Sequence, residues 1–456
     1  MFTVATIVMA VVTALSSGFL ASRSTAQTPE RIELPVTIDA TGTTDVSAEL
    51  SEFLALAPEA AIVEFGDGAM YRVDAGLDIR RVGSLTIEGN GAALVASDDG
   101  ATAAPPSRAQ QIAWPRNRRI ITLAGVDHVT IRNLTIDGPN TGAKFEPKLE
   151  GQAAVFVARS EFVMLDNIAV REVWGDGVYV AGGSQGVVVV NSDFDRIGRQ
   201  GVAVVEGTDV QITANRFDHV ARSVIDLEPT RNAEVANVVI RDNVIGRYAN
   251  FLLAAAGGGP NVTDVTLADN TIEGGRGLSV FAGVARHPRR GLTIVGNRSQ
   301  VDATAAIGST PLQITNYTAV RIERNTSPVP DGADVVTLNA VCDATVDANV
   351  WPGARNEIVE IAPCGAPPDT SPLIEDGSTT TTAEAPIGRT TSTTGTAPEP
   401  GAGRTSAADD SDDSDDSDLR SGAALLIGVL LGGFGTLAVT RARRRRASRR
   451  LRRDSD

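Results

Sequence analysis

The fold of this chain is decided by residues 187–215, which read VVVVNSDFDRIGRQGVAVVEGTDVQITAN. A valine-rich segment precedes Asn191, and a second β-type segment, residues 210–212, precedes Asn215. Similar segments end in ten asparagines along the chain, and a β-type triplet precedes most of them by one or two residues. These are Asn90, Asn133, Asn167, Asn191, Asn215, Asn243, Asn270, Asn297, Asn325 and Asn349.

The spacing of these asparagines indicates a repeating structure. From Asn167 onward, successive asparagines lie 24, 24, 28, 27, 27, 28 and 24 residues apart. Such a repeat is typical of a solenoid, in which each repeat forms one turn and neighbouring turns bury each other's apolar face. Valine-rich segments such as 187–190 and 202–204 suit parallel strands buried in that coil. We therefore interpret the asparagines as a structural ladder that hydrogen-bonds from turn to turn.

A second pattern lies upstream of the repeats. Asp45 can cap a helix that runs to about Leu56 with apolar residues on one face. A β-type segment at 61–65, a Gly-Asp-Gly turn, Met70-Tyr71-Arg72-Val73 and the segment Leu85-Thr86-Ile87-Glu88-Gly89-Asn90-Gly91 follow. This order resembles the start of pectate-lyase-like, right-handed parallel β-helix proteins, over roughly residues 36–365. The resemblance implies an all-β solenoid whose N-terminal helix caps its open end.

The two termini predict an exported, membrane-anchored protein. Residues 1–27 combine an apolar run with a small-residue segment, as in a secretory signal peptide, although the n-region before the apolar run contains no Lys or Arg. Residues 422–440 carry no charge and are about long enough to cross a bilayer. The positive-inside rule then places the Arg-rich segment 441–456 in the cytoplasm and the solenoid outside the cell, on a single-pass anchor.

The amino-acid composition separates a polar segment from the solenoid and from the membrane anchor. Residues 366–421 are rich in Thr, Ser, Pro and Asp, which predicts a disordered stalk between the solenoid and the membrane. The predicted organisation is a signal peptide at 1–27, a lead-in with the capping helix at 28–60, the β-helix at 61–365, the stalk at 366–421, the transmembrane helix at 422–440 and the tail at 441–456.

Net charge limits the class of binding partner, and the cysteine content predicts a disulfide. The formal net charge is −15, and the Arg-rich tail is basic, so the exported part is more acidic still. An acidic surface repels phosphates, which argues against a nucleic-acid partner. The only two cysteines, Cys342 and Cys364, lie about one turn apart, and in an exported protein they are expected to form a disulfide.

Because the inside of a solenoid is packed, its chemistry must lie on the outer face of a sheet. Three consecutive repeats align at residues 175–180, 199–204 and 222–229. If the valines of these segments point inward, alternate residues point outward and share rows across the turns. One predicted row contains Tyr179, Ala203 and Asp226, with Glu228 on the same side, and a second contains Asp176, Gln200 and Ser223, flanked by Arg199 and Arg222.

These rows predict a carbohydrate site. Nearby carboxylates can act as acid and base, or as acid and nucleophile, in glycoside cleavage. Alternatively, Asp226 and Glu228 can hold Ca²⁺ while Arg199 fixes a substrate carboxylate for β-elimination. We predict that the catalytic residues are Asp176, Arg199, Asp226 and Glu228. We predict that the substrate-binding residues are Trp174, Tyr179, Gln200 and Arg222, since exposed aromatic rings beside carboxylates stack on sugars.

A second resemblance supports this interpretation. Segments 199–202 and 225–229 resemble the pattern Arg-Gln-Gly-Ile … Gly-Ile-Asp-Ile-Glu-Pro of carbohydrate-associated bacterial β-helix proteins, with Val224 in place of a glycine. The resemblance implies a polysaccharide partner but names no reaction. The same charged residues can instead pair across turns, with little effect on stability.

Two main functions therefore stay open. The first is a surface protein that binds or processes a polysaccharide as a lyase, hydrolase or epimerase. The second is a non-enzymatic adhesin or spacer displayed on the stalk. A phage-type tail fibre would fit the N-terminal pattern but not the signal and anchor. A groove at Asp226, walled by the predicted loops 98–119 and 139–152, would favour the enzyme, and a flat surface would favour the adhesin.

Overall fold

The structure is a computed structural model. It describes residues 29–80, 83–230, 232–301 and 311–370. The predicted signal peptide, transmembrane helix and tail lie outside these residues, as does all of the predicted stalk beyond residue 370. Within the described ranges, no helix is both long enough and apolar enough to cross a membrane.

The described residues form 34 strands and two helices. In chain order, the first half comprises β1 (Arg31–Glu33), β2 (Thr41–Asp45), α1 (Ser47–Leu56), β3 (Ala61–Glu64), β4 (Met70–Arg72), β5 (Leu77–Arg80), β6 (Leu85–Glu88), β7 (Ala93–Val95), α2 (Arg108–Gln111), β8 (Ile121–Ala124), β9 (Val129–Arg132), β10 (Thr135–Asp137), β11 (Val155–Ala158), β12 (Met164–Asp166), β13 (Ala169–Val173), β14 (Val178–Ala181), β15 (Ser184–Gln185), β16 (Val188–Val190) and β17 (Asp193–Ile197). The second half comprises β18 (Val202–Val204), β19 (Gly207–Thr213), β20 (Arg216–Val220), β21 (Ile225–Leu227), β22 (Glu234–Arg241), β23 (Val244–Ile245), β24 (Leu253–Ala255), β25 (Asn261–Ala268), β26 (Thr271–Ile272), β27 (Val280–Ala282), β28 (Arg289–Val295), β29 (Arg298–Ser299), β30 (Leu312–Thr315), β31 (Tyr317–Glu323), β32 (Ala333–Asn339), β33 (Cys342–Asp347) and β34 (Ala354–Ala362).

Three parallel sheets wind around one core and make about 12 turns. Sheet A is β1-β3-β6-β9-β12-β16-β19-β22-β25-β28-β31-β33, with β15 beside β19. Sheet B is β2-β4-β7-β10-β13-β17-β20-β23-β26-β29, and sheet C is β5-β8-β11-β14-β18-β21-β24-β27-β30-β32-β34. Inward residues of all three sheets meet in one continuous apolar core. The predicted all-β parallel β-helix is therefore confirmed.

The solenoid begins earlier than the sequence predicted. Within the predicted lead-in 28–60, β1 pairs with β3 and β2 pairs with β4, so both belong to the first turn. Their side chains are mostly exposed, and backbone hydrogen bonds hold them in the sheets. Because few apolar residues mark these strands, hydrophobic periodicity could not find them.

The predicted N-terminal helix is present as α1, and it lies beside the edge strand β5 of sheet C. Leu50 and Leu54 of α1 are fully buried. The hydroxyl of Ser51 accepts a hydrogen bond of 3.2 Å from the backbone N–H of Asp78 on β5. This contact satisfies one donor on an otherwise open sheet edge. That α1 caps the solenoid stays a prediction.

The asparagine ladder is confirmed from Asn215 to Asn349. At each step, one asparagine side-chain oxygen accepts hydrogen bonds from the backbone N–H and the amide of the asparagine one turn earlier. Asn243, Asn270, Asn297 and Asn325 are completely buried. Since buried polar groups need partners, this row of amides holds the corners of six turns in register.

The first four asparagines occupy a different corner position. Asn90, Asn133, Asn167 and Asn191 have positive φ angles of 50–56°. In the turn after Asn191, that left-handed position belongs to Ala214, at φ 57°. The ladder therefore shifts by one residue between Asn191 and Asn215, although the sequence spacing looks constant. The strands of this turn repeat after 23 residues and not after the 24 that separate Asn191 from Asn215, because Val202 pairs with Ile225.

A disulfide joins the two cysteines that the sequence pairs. Cys342 lies at the start of β33 in sheet A, and Cys364 follows β34 in sheet C. Their Cα atoms are 4.9 Å apart, within the usual range for a disulfide. The bond links two of the three sheets at the last turn.

Candidate functional site

The candidate site lies on sheet C, where β14, β18 and β21 follow one another. Tyr179 pairs with Ala203, and Ala203 pairs with Asp226. The flanking residues Val202 and Ile225 are fully buried, so this row points outward, as the sequence predicted. Ala203 and Ala254, the two strand partners of Asp226, are small. The carboxyl group of Asp226 therefore stands between two short side chains.

Local packing fixes the corners that precede these strands. A Cβ atom on Gly201 would lie 2.6 Å from the carbonyl oxygen of Val224 and 2.8 Å from the ring of Phe217. Phe217 stacks on Phe194 inside the coil, with ring centroids 4.8 Å apart. One turn later Ile245 replaces the phenylalanine. The smaller residue explains how Val224 fits where the resembling pattern has glycine.

Arg199 connects two carboxylates from different turns. Its Nη1 donates to Asp176 at 3.1 and 2.9 Å, and its Nη2 donates to Glu228 at 2.7 and 2.9 Å. Charge-assisted bonds of this geometry are the strong ones in proteins. The guanidinium thus clamps Asp176 and Glu228 in fixed positions.

Gln200 ties the same group together from the next position along the chain. Its backbone N–H donates to Asp176 at 3.0 Å, and its side-chain amide donates to Glu228 at 2.9 Å and to Asp226. The amide oxygen of Gln200 is buried and accepts no hydrogen bond from the described residues. All four predicted catalytic residues therefore lie in one cluster, which we call the acidic cluster: Asp176, Arg199, Gln200, Asp226 and Glu228.

Burial controls the protonation of this cluster. Asp176, Gln200 and Glu228 are 1%, 3% and 8% exposed, whereas Asp226 is half-buried. Burial raises the pKa of Asp176 to about 6, against the opposing effect of Arg199. Burial, followed by the charge of Glu228, raises the pKa of Asp226 well above its ordinary value. The carboxylates around Arg199 raise its pKa despite burial, so it stays charged.

Asp226 and Glu228 lie close together, because both accept a hydrogen bond from the side-chain amide of Gln200. Like charges this close repel, which adds to the effect of burial on the pKa of Asp226. The raised pKa favours the protonated form of Asp226. The cluster therefore presents a protonated carboxyl group at the protein surface, supported from behind by Arg199 and Gln200.

Two predicted roles do not fit these contacts. Arg199 was expected to fix a substrate carboxylate, but both of its terminal nitrogens already bind protein carboxylates. Ca²⁺ was expected at Asp226 and Glu228, but the oxygens of Glu228 accept from Arg199. A guanidinium at that position opposes a cation by charge repulsion and by occupying the ligand atoms. The Ca²⁺ dependence itself stays a prediction.

The predicted substrate-binding residues are only partly brought together. Gln200 belongs to the acidic cluster. Tyr179 stacks on Phe156 of β11, with ring centroids 5.5 Å apart, and burial raises the pKa of its hydroxyl. Arg222 lies over the ring of Phe145, 4.7 Å from its centroid. Trp174 has a buried indole N–H without a partner among the described residues, and it makes no ring contact there with the cluster.

Sequence reasoning missed three residues of this face: Arg119, Phe145 and Phe156. Phe156 occupies the row of Tyr179 one turn earlier. The insertion 139–152 separates Asn133 from Asn167 by 34 residues, which hid that register. Phe145 lies within the insertion, where no repeat applies. The guanidinium carbon of Arg119 lies 3.4 Å from the centroid of the Phe156 ring.

The surface has depressions away from the acidic cluster. One of about 570 Å³ lies between α1, β5 and residues 104–107. Another of about 440 Å³ lies on sheet B and includes Arg171, Arg216 and His219. Asp226 lines neither of them, so the groove expected there for an enzyme is not among these depressions.

One group of side chains outside the acidic cluster has metal-ligand spacing. Ligand atoms of Asp195, Asp218 and His219 lie within 4.8 Å of one another. Arg196 pairs with Asp195, and Arg247 pairs with Asp218, each at 2.7 Å. These arginines already neutralise the carboxylates, so the group is explained as a network of surface ion pairs.

Comparison with known proteins agrees with the fold. A family model described as "Right handed beta helix region" matches residues 119–327, which supports the predicted handedness. No curated protein sequence matches the chain. The fold itself rests on the parallel strand pairing described above.

Several solved structures are similar at low sequence identity. The Streptococcus pneumoniae surface protein and adhesin PfbA covers 70% of this chain and 97% of its own, at 11% identity and a TM-score of 0.47. The Yersinia enterocolitica family 28 exopolygalacturonase covers 74% of this chain and 78% of its own, at 11% identity and a TM-score of 0.45. The A-module of Azotobacter vinelandii mannuronan C-5 epimerase AlgE6 covers 72% of this chain and 97% of its own, at 15% identity and a TM-score of 0.46. These values assign no activity to the present chain.

Proposed function

We propose that this protein binds and processes a polysaccharide on the outer face of sheet C, with Asp226 and Glu228 as its acid–base unit. The observation that carries the proposal is the half-buried carboxyl group of Asp226, which shares the amide donor of Gln200 with Glu228 and faces outward between two alanines. A carboxyl group whose pKa is raised toward neutrality is suited to transferring a proton at physiological pH.

The rest of the cluster keeps this unit in place. Arg199 and the amide of Gln200 hold Glu228, and Gln200 also holds Asp226. Asp226 can then donate its proton to a departing sugar oxygen, or take up a proton once it is ionised. Carboxyl groups in glycosidases with a separate acid and nucleophile or base lie about 5–9.5 Å apart. Asp226 and Glu228 instead share one hydrogen-bond donor, the amide of Gln200, which favours proton transfer by one unit, as in elimination or epimerisation.

The test uses two variants of the full chain, Asp226→Asn and Glu228→Gln, with Asp193→Asn on sheet B as the control. Turnover and binding are measured on acidic and neutral glycans, with and without Ca²⁺. Loss of the acid–base unit should lower turnover roughly 100- to 10,000-fold and leave binding within about threefold. The control should match the unchanged protein. Equal turnover by all four proteins would falsify the proposed site.

A non-enzymatic adhesin is the second candidate, and one observation favours it. Asp176 and Glu228 are already paired with Arg199, so the acidic cluster can serve as a structural network that holds neighbouring turns together. An adhesin would bind a glycan without changing it. Binding by the unchanged protein with no detectable product, and with no effect of Asp226→Asn, would support this alternative.

We further propose that the solenoid acts outside the cell on a single-pass membrane anchor. The uncharged segment 422–440 and the arginines that follow it support this topology. The disulfide between Cys342 and Cys364 suits an oxidising compartment. Protease treatment of intact cells should remove the solenoid and leave the tail protected. Protection of the whole chain would contradict the topology.

A further inference from the structure

Arg119 is an arginine without an acidic partner on the face that carries the acidic cluster. It precedes β8, and its side chain lies over the outward ring of Phe156. No hydrogen bond or ion pair joins its guanidinium to any described residue, and its Nε atom is buried without a partner. The nearest acidic residue of β5, Asp78, is already paired with Arg80 at 2.7 Å.

An unpaired cation that is half-buried, as Arg119 is, is costly to the fold. Removing a guanidinium from water is unfavourable unless hydrogen bonds and an opposite charge replace the lost hydration. Burial lowers the pKa of Arg119 to about 10, which reflects this cost. Stacking on Phe156 compensates only in part, because a cation over a ring still has free N–H donors. By contrast, Arg118, the preceding residue, is fully buried but donates to Asp74 and Gln152.

The neighbours of Arg119 suit a sugar chain. Arg119, Phe156 and Tyr179 form a continuous stack along the row that leads to Asp226. The hydroxyl of Tyr179 makes no hydrogen bond to the described residues, and it lies where both Arg119 and Glu228 influence its ionisation. Four strand spacings separate β8 from β21, or roughly 19 Å along the solenoid axis. A single extended chain can therefore reach both Arg119 and Asp226.

We propose that Arg119, with Tyr179 beside it, binds an anionic group of the polysaccharide, and that the ligand is therefore an acidic glycan. The planar guanidinium fits a carboxylate or a sulfate ester through two parallel hydrogen bonds. This inference rests on the proposed function for its ligand class, but Arg119 acts in binding and Asp226 in turnover. Arg119 is thus a specificity-determining residue about four turns from the acid–base unit.

The test measures binding and thermal unfolding of the full chain with Arg119→Met and Arg119→Lys. The probes are polygalacturonate and alginate as carboxylated chains, dextran sulfate as a sulfated chain, and dextran as a neutral chain. Arg119→Met should weaken binding of the anionic chain roughly 10- to 100-fold. It should also keep or raise the Tm, because it removes an unpaired half-buried charge. Arg119→Lys should keep more of the affinity than Arg119→Met.

The control is Arg196→Met on sheet B, where the arginine pairs with Glu172 and Asp195. It should leave glycan affinity unchanged. Which anionic chain responds distinguishes a carboxylate from a sulfate ligand. Two results would overturn the inference: unchanged affinity in Arg119→Met, whatever its Tm, or no binding of any anionic chain by the unchanged protein. Loss of affinity in Arg119→Met with normal turnover in Asp226→Asn would refute only the proposed acid–base unit.

Discussion

At the scale of single residues, the site depends on how Arg199 is used. Arg199 has a carboxylate on each side, Asp176 at one terminal nitrogen and Glu228 at the other. Asp226 is held instead by the side-chain amide of Gln200. Arg199 therefore fixes where the carboxylates of Asp176 and Glu228 stand, and it is a positioning residue.

The pKa of Asp176 predicts a pH dependence of stability. Burial raises the pKa of Asp176 from 3.8 to about 6 in the folded protein. The protonated group is then favoured in the folded state, so its stabilising contribution is complete below about pH 4 and is lost as the pH rises through about 6. The free energy of unfolding should fall by roughly 2–3 kcal/mol over this range from this group.

Urea unfolding at several pH values checks this expectation with Asp176→Asn. The variant cannot titrate at this position, so its stability should change less between pH 4 and pH 7 than that of the unchanged protein. Asp347→Asn, at an exposed position of β33 in sheet A, serves as the control. Parallel pH profiles for Asp176→Asn and the unchanged protein would contradict the raised pKa.

At the scale of elements, strand register brings the acidic cluster together. The sequence predicted the rows of Tyr179 and Asp176 correctly, because alternation of buried and exposed residues defines which side chains face outward. The asparagine spacing alone would have placed Asn215 one residue out of register. Gly201 and Val224 kept the correct alignment, because they mark the same corner.

The missed residues lie where this repeat is interrupted. The insertion 139–152 hid the register of Phe156, and Arg119 ends a loop that has no repeat of its own. β1 and β2 were missed because their side chains are exposed and backbone pairing alone holds them. Periodicity therefore predicted the regular turns, whereas side chains supplied by loops required the three-dimensional structure.

The ladder predicts a large difference between two asparagines. Asn270 donates its amide to Ile240 and Asn297, and its oxygen accepts two bonds from Asn243. Asn270→Ala should lower the free energy of unfolding by about 3 kcal/mol or more, since it leaves buried groups without partners. Asn191→Gly should cost less than about 1 kcal/mol, because Asn191 is exposed and glycine accepts its positive φ. Equal losses in chemical denaturation would contradict the ladder.

At the scale of the whole molecule, the last turn is closed by a covalent bond. The disulfide between Cys342 and Cys364 closes a loop with a sequence separation of 22 residues. Replacing both cysteines with serine should lower the free energy of unfolding by about 3 kcal/mol. Denaturation of the double variant, compared with the unchanged protein before and after reduction, measures this contribution. A stability independent of the bond would show that the last turn holds by pairing alone.

The solenoid as a whole presents one long face that combines an unpaired cation and an acid–base unit. Arg119 precedes β8, Tyr179 lies on β14 and Asp226 lies on β21, so two turns separate each residue from the next, in the order that an extended chain would meet them. At sheet B, Arg196 pairs with Asp195 and Arg247 pairs with Asp218. These pairs contrast with Arg119, whose Nε atom is buried without a partner among the described residues.

The central claim is that Asp226 holds a proton beside Glu228. Infrared difference spectroscopy on the full chain tests this claim with Asp176→Asn as the parent protein and Asp176→Asn/Asp226→Asn as the comparison, because Asp176, with a pKa of about 6, would add its own protonated-carboxyl band. We predict a protonated-carboxyl band in the parent at about pH 6, where an ordinary aspartate is ionised, and its loss in the double variant. Absence of the band in the parent at that pH, or an equal band in the double variant, would contradict the claim.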